Sequence, residues 1–471
     1  MLGVHRVTSA RAHYYLSDLA GELPPPAAAG ERPAVWIGRA AEGLGLGGEV
    51  DLGRLRAVLE GRHPASGHRL RSARATVLGF DMTFSAPKSV SVVFGLGGDD
   101  VARDVVAAHG AGVRGAVAYL ETHGLAARRG SGDQRAMVPT TGLVGASFTH
   151  GVSRNLDPHL HTHVVMSNMV HGIDGQWSAC DHRGISAHRS AASAVYEAHL
   201  RSELSKRLGV GWVKGAGLQT EIAGVSPLVV GEFSSRSADI RMRMAEWRSY
   251  SSRGARVAWA ATRSQKATGG SYEELSSEWG SRARSLGIDP LSLTSAREQC
   301  GSRTDVARID EHRFGAVLSL TPDGAARRRD IVTAFGTAAV GGASVQSLER
   351  LADLWTPPIS DRVQIGVAED VRSLRSVVPG PHVLRELGPR PVSPFLHEMW
   401  CDAARAIDVY RRRWGVAGGG DALGVAALPS GISSLPTERL VEHLQIARDV
   451  ELTRHRLGWH SALVQEMDRG R

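Results

Sequence analysis

Three observations in this sequence predict an α/β fold, an antiparallel sheet flanked by helices and followed by a mostly α-helical C-terminal region. The first is a pair of segments, Leu143 to His150 and Pro158 to Met166, that read as strands. They are joined by a polar connection ending in Asp157-Pro158, which suits a loop between antiparallel neighbours. The second is a pair of long segments, about 99–123 and 186–208, with helical character. The third is the stretch beyond about residue 290, where helical patterns are broken by Pro/Gly-rich interruptions.

In chain order, Thr8 or Ser9 is positioned to cap a first helix running through Tyr14, Tyr15 and Leu19 and ended by Gly21. Phe80 begins a strand, Ser85-Ala86-Pro87-Lys88 reads as a loop, and the β-branched run Val90 to Phe94 reads as a second strand. Asp99 or Asp100 opens a helix to about His123. After the two strands of the first observation, Asp174-Gly175 signals a hairpin turn before Gln176-Trp177-Ser178. A long helix then runs from about Ser186 to Leu208 and is closed by Gly209. From 224 to 290 the pattern is helical and charged, with Trp247, Trp259 and Trp279 as packing anchors. Later breaks fall at Trp355-Thr356-Pro357-Pro358, between Val378 and Pro394, and at Gly418-Gly419-Gly420. There is no internal repeat and no sustained heptad pattern.

The chain of 471 residues is long enough for several domains and a sizeable core. Its net charge of +8 favours an anionic partner such as nucleic acid. Lys88, Lys206, Lys214 and Lys266 are its only lysines, so the positive charge is nearly all arginine, which suits bidentate phosphate contacts. A GC-rich coding sequence gives the same bias, so charge alone does not decide the partner. Cys180, Cys300 and Cys401 are far apart, which argues against a disulfide framework or a zinc ribbon. The absence of a signal-peptide core or a membrane-length apolar run leads to the expectation of a cytoplasmic protein without membrane insertion.

The densest chemistry lies in Pro158-His159-Leu160-His161-Thr162-His163, which sets imidazoles at alternate positions and therefore on one face of a strand. At roughly 3.3 Å per residue, His159 and His163 stand about 13 Å apart, too far to share one small ion. Only an adjacent pair chelates, and a third ligand must come from elsewhere. His150 ends the preceding strand, on the face shared by Val144, Ala146 and Phe148. An antiparallel pairing lets His150, His161 and His163 converge on one metal with coordination positions left open, and sets His159 aside as a substrate contact. A metal held by imidazoles is a Lewis acid, and on a basic protein its obvious target is a phosphodiester. Tyr14 and Tyr15 are candidate nucleophiles, although a phenol with a pKa near 10 needs a base or a nearby cation to attack. Asp81 is the candidate helper, either taking the proton or orienting a ligand imidazole.

Together these segments resemble the TrwC-type conjugative relaxases, the MobF branch of the HUH endonucleases. The resemblance is carried by Tyr14-Tyr15, Trp36-Ile37-Gly38 with Leu44 to Asp51, Gly79 to Ser91, Ser153-Arg154, and Asp157 to His163. It continues through Asp174-Gly175-Gln176-Trp177 and Ala261-Thr262-Arg263 to Leu286-Gly287-Ile288-Asp289, and so covers about the first 290 residues. It implies a tyrosine transesterase that nicks single-stranded DNA at an origin of transfer and stays joined to the 5′ phosphate. It also implies a divalent metal, Mg2+ or Mn2+, and a coupling protein and secretion channel as partners. Carried over, the nucleophile is Tyr14 with Tyr15 as the local substitute, the ligands are His150, His161 and His163, and the supporting carboxylate is Asp81. Lys88 and Arg154 are candidate DNA-backbone contacts.

The implied organisation is a relaxase domain over 1–295, a small helical segment over 296–378, a Pro-rich linker over 379–394 and a helical segment over 395–471. Two departures stand out. Many members carry a second tyrosine pair slightly downstream, but Gly21 to Ala29 contains none, which leaves one catalytic tyrosine per subunit and the termination step unexplained. Larger members append a helicase, but none of the four lysines follows a glycine, so no phosphate-binding GxxxxGK[ST] loop is present and no ATP-driven unwinding is expected. Arg411-Arg412-Arg413 would then end an exposed basic helix. The competing functions are a rolling-circle replication initiator, a DNA-binding transfer factor without catalysis, and a hydrolytic metallonuclease.

Overall fold

The computed structural model describes residues 1–8, 34–72, 76–130, 136–215, 217–247, 271–289, 309–318 and 327–355, with shorter stretches between 251 and 262 and between 383 and 450. It comprises two compact units, Met1–Glu349 and Arg350–Arg471. The first is built on an antiparallel sheet of β1 (Leu2–Thr8), β2 (Ala34–Ile37), β3 (Val77–Ser85), β6 (Thr140–Val152), β7 (Pro158–Gly172) and the short β8 (Trp177–Ser178). The strand order is β1-β3-β7-β6-β2, with β8 paired to β7. A separate ribbon pairs β4 (Ala127–Arg129) with β5 (Ala136–Val138), and another pairs β9 (Trp212–Lys214) with β10 (Thr220–Ile222).

The helices of this unit are α1 (Arg39–Glu42), α2 (Leu52–Leu59), α3 (Lys88–Leu96), α4 (Gly98–His123), α5 (His182–Leu208), α6 (Pro227–Glu232), α7 (Ser235–Glu246), α8 (Tyr272–Ser285), α9 (Glu311–Leu318) and α10 (Arg328–Ala338). Helix α11 (Val345–Trp355) follows, and α12 (Pro394–Arg413) lies in the second unit. Helices α4 and α5 cover the back of the sheet. His109 of α4 bonds to Thr162 of β7, and Tyr196 of α5 packs on Phe84 of β3. The front is covered by α2, whose Leu55 and Leu59 pack with Ala146, Phe148 and Val165. Burial of each leucine contributes about 2 kcal/mol. Val144 and Met169 extend this front core beside Val58. The sharing of one face by Val144, Ala146, Phe148 and His150 follows from this packing, and α2 leaves the hairpin end of β6 and β7 to polar side chains.

Some expectations needed correction. Val90 to Phe94 is helical, within α3, rather than a strand. Every residue of α3 after Lys88 is buried, so the polar face that would mark a helical period is missing and β-branching alone misleads. Ser91 Oγ donates to the Pro87 carbonyl, and the amide of Ile222 donates to Ser89 Oγ, so the buried serines are satisfied inside the packing. Thr8 ends β1, pairing with Val77, and the helix that Thr8 or Ser9 is expected to cap falls on Ser9 to Gly21, outside the described residues. Helix α5 starts at His182, earlier than Ser186, because Asp181 caps it by accepting from the Arg183 amide. Its other end meets expectation, with Gly209 in the left-handed region at φ 66°. Gly175, at φ 76°, closes the β7–β8 turn as Asp174-Gly175 predicts.

Of the three tryptophans read as anchors, Trp279 is fully buried, whereas Trp247 is 44 % exposed and lies under the Arg243 guanidinium. Trp259 lies outside the described residues. In the second unit, Tyr410 of α12 is buried near His443, and Arg413, at the end of the arginine triplet, pairs with Glu442 at 3.2 Å. Among the described residues, no helix is long and apolar enough to cross a membrane.

Candidate metal centre

The register of β6 and β7 builds the site. His150 lies directly opposite His161, and Phe148 opposite His163, so all three imidazoles leave the front face at the hairpin end. Candidate ligand nitrogens of His150, His161 and His163 lie within 4.8 Å of one another. Their ring centroids form a nearly equilateral triangle, with sides of 5.2, 5.3 and 5.6 Å. His159 is not part of it. Its ring stacks on His161 at 4.8 Å, and burial, followed by the neighbouring His161, pushes its pKa well below the ordinary histidine value.

Hydrogen bonds set the tautomers. His161 Nδ1 donates to the His159 carbonyl at 2.9 Å. His163 Nδ1 donates to both oxygens of Asp81, each at 2.9 Å. In the neutral ring each of these leaves Nε2 with its lone pair, the form a cation requires. Three imidazoles so arranged fit a divalent ion, and a carboxylate behind one of them fixes its orientation and raises its basicity. Of the two roles considered for Asp81, this geometry matches the orienting one.

Thr83 went unrecognised in the sequence. It faces His163 across β3 and β7, and its hydroxyl donates to Asp81 Oδ2 at 3.2 Å. Only the strand register reveals that position, and the register depends on the partner strand. Also unrecognised was a buried chain behind the sheet. His109 Nδ1 meets Tyr196 Oη at 2.8 Å, its Nε2 meets Thr162 Oγ1 at 2.8 Å, and Thr162 continues to Thr149 at 2.9 Å. Burial pushes the His109 pKa down to about 3.

The remaining candidates lie around the hairpin loop. Lys88 begins α3, and its ammonium donates to the Pro158 carbonyl at 2.9 Å. Burial lowers its pKa to about 8, against the opposing charge of Asp157. Arg154 is half-buried in the turn between β6 and β7. Tyr14 and Tyr15 lie outside the described residues.

The TrwC relaxase family model matches residues 5–286. The chain belongs to the TrwC relaxase family. Among curated proteins, the multifunctional conjugation protein TraI of Escherichia coli is 34 % identical over 289 residues, which is 57 % of this chain and 15 % of that protein. TraI of Escherichia coli strain K12 is 30 % identical over 403 residues, 77 % of this chain and 21 % of that protein. The chain thus spans about a fifth or less of the length of these relatives.

Among solved structures, a copper-bound complex of conjugative relaxase TrwC with oriT DNA aligns with a TM-score of 0.57 and 33 % identity, covering 62 % of this chain and all of that one. A metal-bound TrwC–oriT complex aligns with a TM-score of 0.56 and 32 % identity over the same shares. TrwC with a 27-mer DNA comprising the recognition hairpin and the cleavage site gives 0.54 and 32 %, again over the same shares. The antiparallel-sheet relaxase fold expected from the sequence is the fold observed.

Proposed function

We propose that this chain is a conjugative DNA relaxase that nicks and rejoins one strand at an origin of transfer. The observation that carries this reading is the triangle of imidazoles on β6 and β7, backed through His163 by the Asp81 carboxylate. His150, His161 and His163 would hold a divalent ion, which would supply Lewis acidity to the scissile phosphate. The protein's residues do the rest. Asp81 holds His163, and Lys88 and Arg154 flank the hairpin as DNA-backbone contacts. The Tyr14 oxygen forms a bond to phosphorus while the bond to the departing 3′ oxygen breaks. The phenolic proton is lost and the leaving oxygen gains one, so one phosphodiester replaces another and the strand can be rejoined.

The domain assignment is a relaxase domain over 1–295, with the segments 296–378, 379–394 and 395–471 as accessory regions. A cytoplasmic location, a coupling protein and a secretion channel belong to this reading. The physiological ion is Mg2+ or Mn2+. An all-imidazole donor set by itself favours Cu2+ and Zn2+, so cellular availability has to make the selection.

The test is incubation of the full chain with single-stranded origin DNA and Mg2+ or Mn2+, followed by a search for a denaturant-resistant protein–DNA adduct. Tyr14→Phe is expected to abolish the adduct and leave oligonucleotide binding intact. An adduct that persists in Tyr14→Phe and disappears in Tyr15→Phe moves the role to Tyr15. Cleavage without any adduct replaces this reading with a hydrolytic nuclease.

A further inference from the structure

The loop joining the two ligand strands is held by a buried carboxylate that none of the roles above uses. Asp157 is 1 % exposed and stands one residue before β7. Its Oδ2 accepts from the amide of Ser235 at 3.0 Å and from the Ser235 hydroxyl at 2.5 Å. Its Oδ1 accepts from both terminal nitrogens of Arg282 at 3.3 Å. Ser235 is the first residue of α7 and Arg282 belongs to α8, so a single carboxylate binds two helices to the hairpin.

The rest of the loop is tied in the same direction. Asn155 donates to Asp239 of α7 at 2.8 Å, and the Trp279 indole of α8 donates to the Leu156 carbonyl at 2.8 Å. Leu156 is held at φ 61°, a conformation that costs a side-chain-bearing residue energy and persists only where the surroundings enforce it. Inside the loop, the Ser153 amide donates to the Asp157 carbonyl and the Asp157 amide to Ser153 Oγ.

The three-histidine site spans both arms of this hairpin, with His150 on β6 and His161 and His163 on β7. Its geometry therefore depends on how the arms are held at their junction, and the pairing has an irregularity between His150 and Val152, next to the loop. A bulge of this kind is where a ladder yields.

We propose that Asp157 is a positioning residue that transmits the seating of α7 and α8 into the spacing of His150 against His161 and His163, and so sets the affinity of the site for its ion. This rests on the metal reading above. Loss of the carboxylate leaves Arg282 paired with Glu232 at 2.9 Å, and leaves the buried Lys88 ammonium its bond to the Pro158 carbonyl and the opposing charge of Glu221, so neither cation is stranded.

The test is titration of the full-length protein with Mn2+ alone, followed by calorimetry or by the spin signal of the free ion. Asp157→Asn is expected to weaken binding by about fivefold, somewhat below the loss typical of direct outer-shell partners. Ser235→Ala keeps the backbone bond, and should move affinity the same way by less. It also serves if the first variant does not fold. A variant that melts earlier but binds Mn2+ as the wild type does reduces Asp157 to a tether, and overturns the proposal. Wild-type protein that binds no ion, or binds it equally after His161→Ala, removes the histidine site itself and this inference with it.

Discussion

The two faces of the β6–β7 hairpin use histidine in opposite ways. On the front, His150, His161 and His163 turn nitrogens towards one another, and two of the rings are oriented from behind by a carbonyl and a carboxylate. On the back, His109 reaches Thr162, which sits between His161 and His163 in the chain, and both of its nitrogens are engaged by hydroxyl groups. Burial does not separate the two cases, because His150 and His161 are buried as well. The difference lies in what the nitrogens face. Those of His109 each meet a hydroxyl and brace the fold, whereas one nitrogen from each of the three front rings converges within 4.8 Å of the others, as a shared cation requires.

Removal of a front ligand should have the largest effect. His161→Ala is expected to weaken Mn2+ binding by on the order of a hundredfold or more, since even outer-shell losses reach that range. DNA adduct formation should fall with it, while urea denaturation without metal changes less than for a back-face variant. An equal loss of unfolding free energy and no loss of affinity would erase the contrast between the faces.

The back-face variant should show the reverse. His109→Ala leaves the Tyr196 and Thr162 hydroxyls without their ring partner in a packed core, at a cost of about 3 kcal/mol in urea unfolding. Mn2+ affinity should stay close to that of the wild type. The acid response follows from the same burial. His109 has a folded pKa of about 3 against an ordinary 6.5, so between those values the unfolded chain binds more protons. Its contribution to stability is therefore complete above pH 6.5, and falls on acidification by up to about 1.4 kcal/mol per pH unit. Urea curves at pH 7, 6 and 5 should show a shallower decline for His109→Gln than for the wild type. Parallel declines would place the acid sensitivity elsewhere.

The front face was far more legible in the sequence than the back. Alternate spacing put His161 and His163 on one side, and a polar loop with Asp157-Pro158 brought His150 across to them, all within fourteen residues. The back-face chain joins His109 to residues 53 and 87 positions away, on elements whose packing no local pattern encodes. Helix α3 failed for a related reason, since its periodicity disappears once every side is buried. Strand β1 also went unrecognised. In Leu2-Gly3-Val4-His5-Arg6-Val7-Thr8 only Leu2 and Val7 are buried, five residues apart, which breaks the alternation a half-buried strand should show. The clamp at Asp157 was invisible as well, because its partners Ser235 and Arg282 come from distant helices.

Asp81→Asn should have the smallest of these effects, and it tests whether orientation alone distinguishes the front rings. Asparagine offers one carbonyl oxygen to His163 Nδ1 where the carboxylate offers two, and carries no charge to raise the basicity of the ring. Thr83, which donates to Asp81 Oδ2, can donate to that same carbonyl oxygen, so the side chain retains a hydrogen-bonded pose. The expected outcome is a loss of roughly tenfold in Mn2+ affinity, well short of that for a missing ligand. Unfolding free energy should change little. A loss as large as that of His161→Ala would mean that the carboxylate contacts the ion itself. No loss at all would mean that His163 is held in place by the sheet register, with Asp81 contributing nothing to the site.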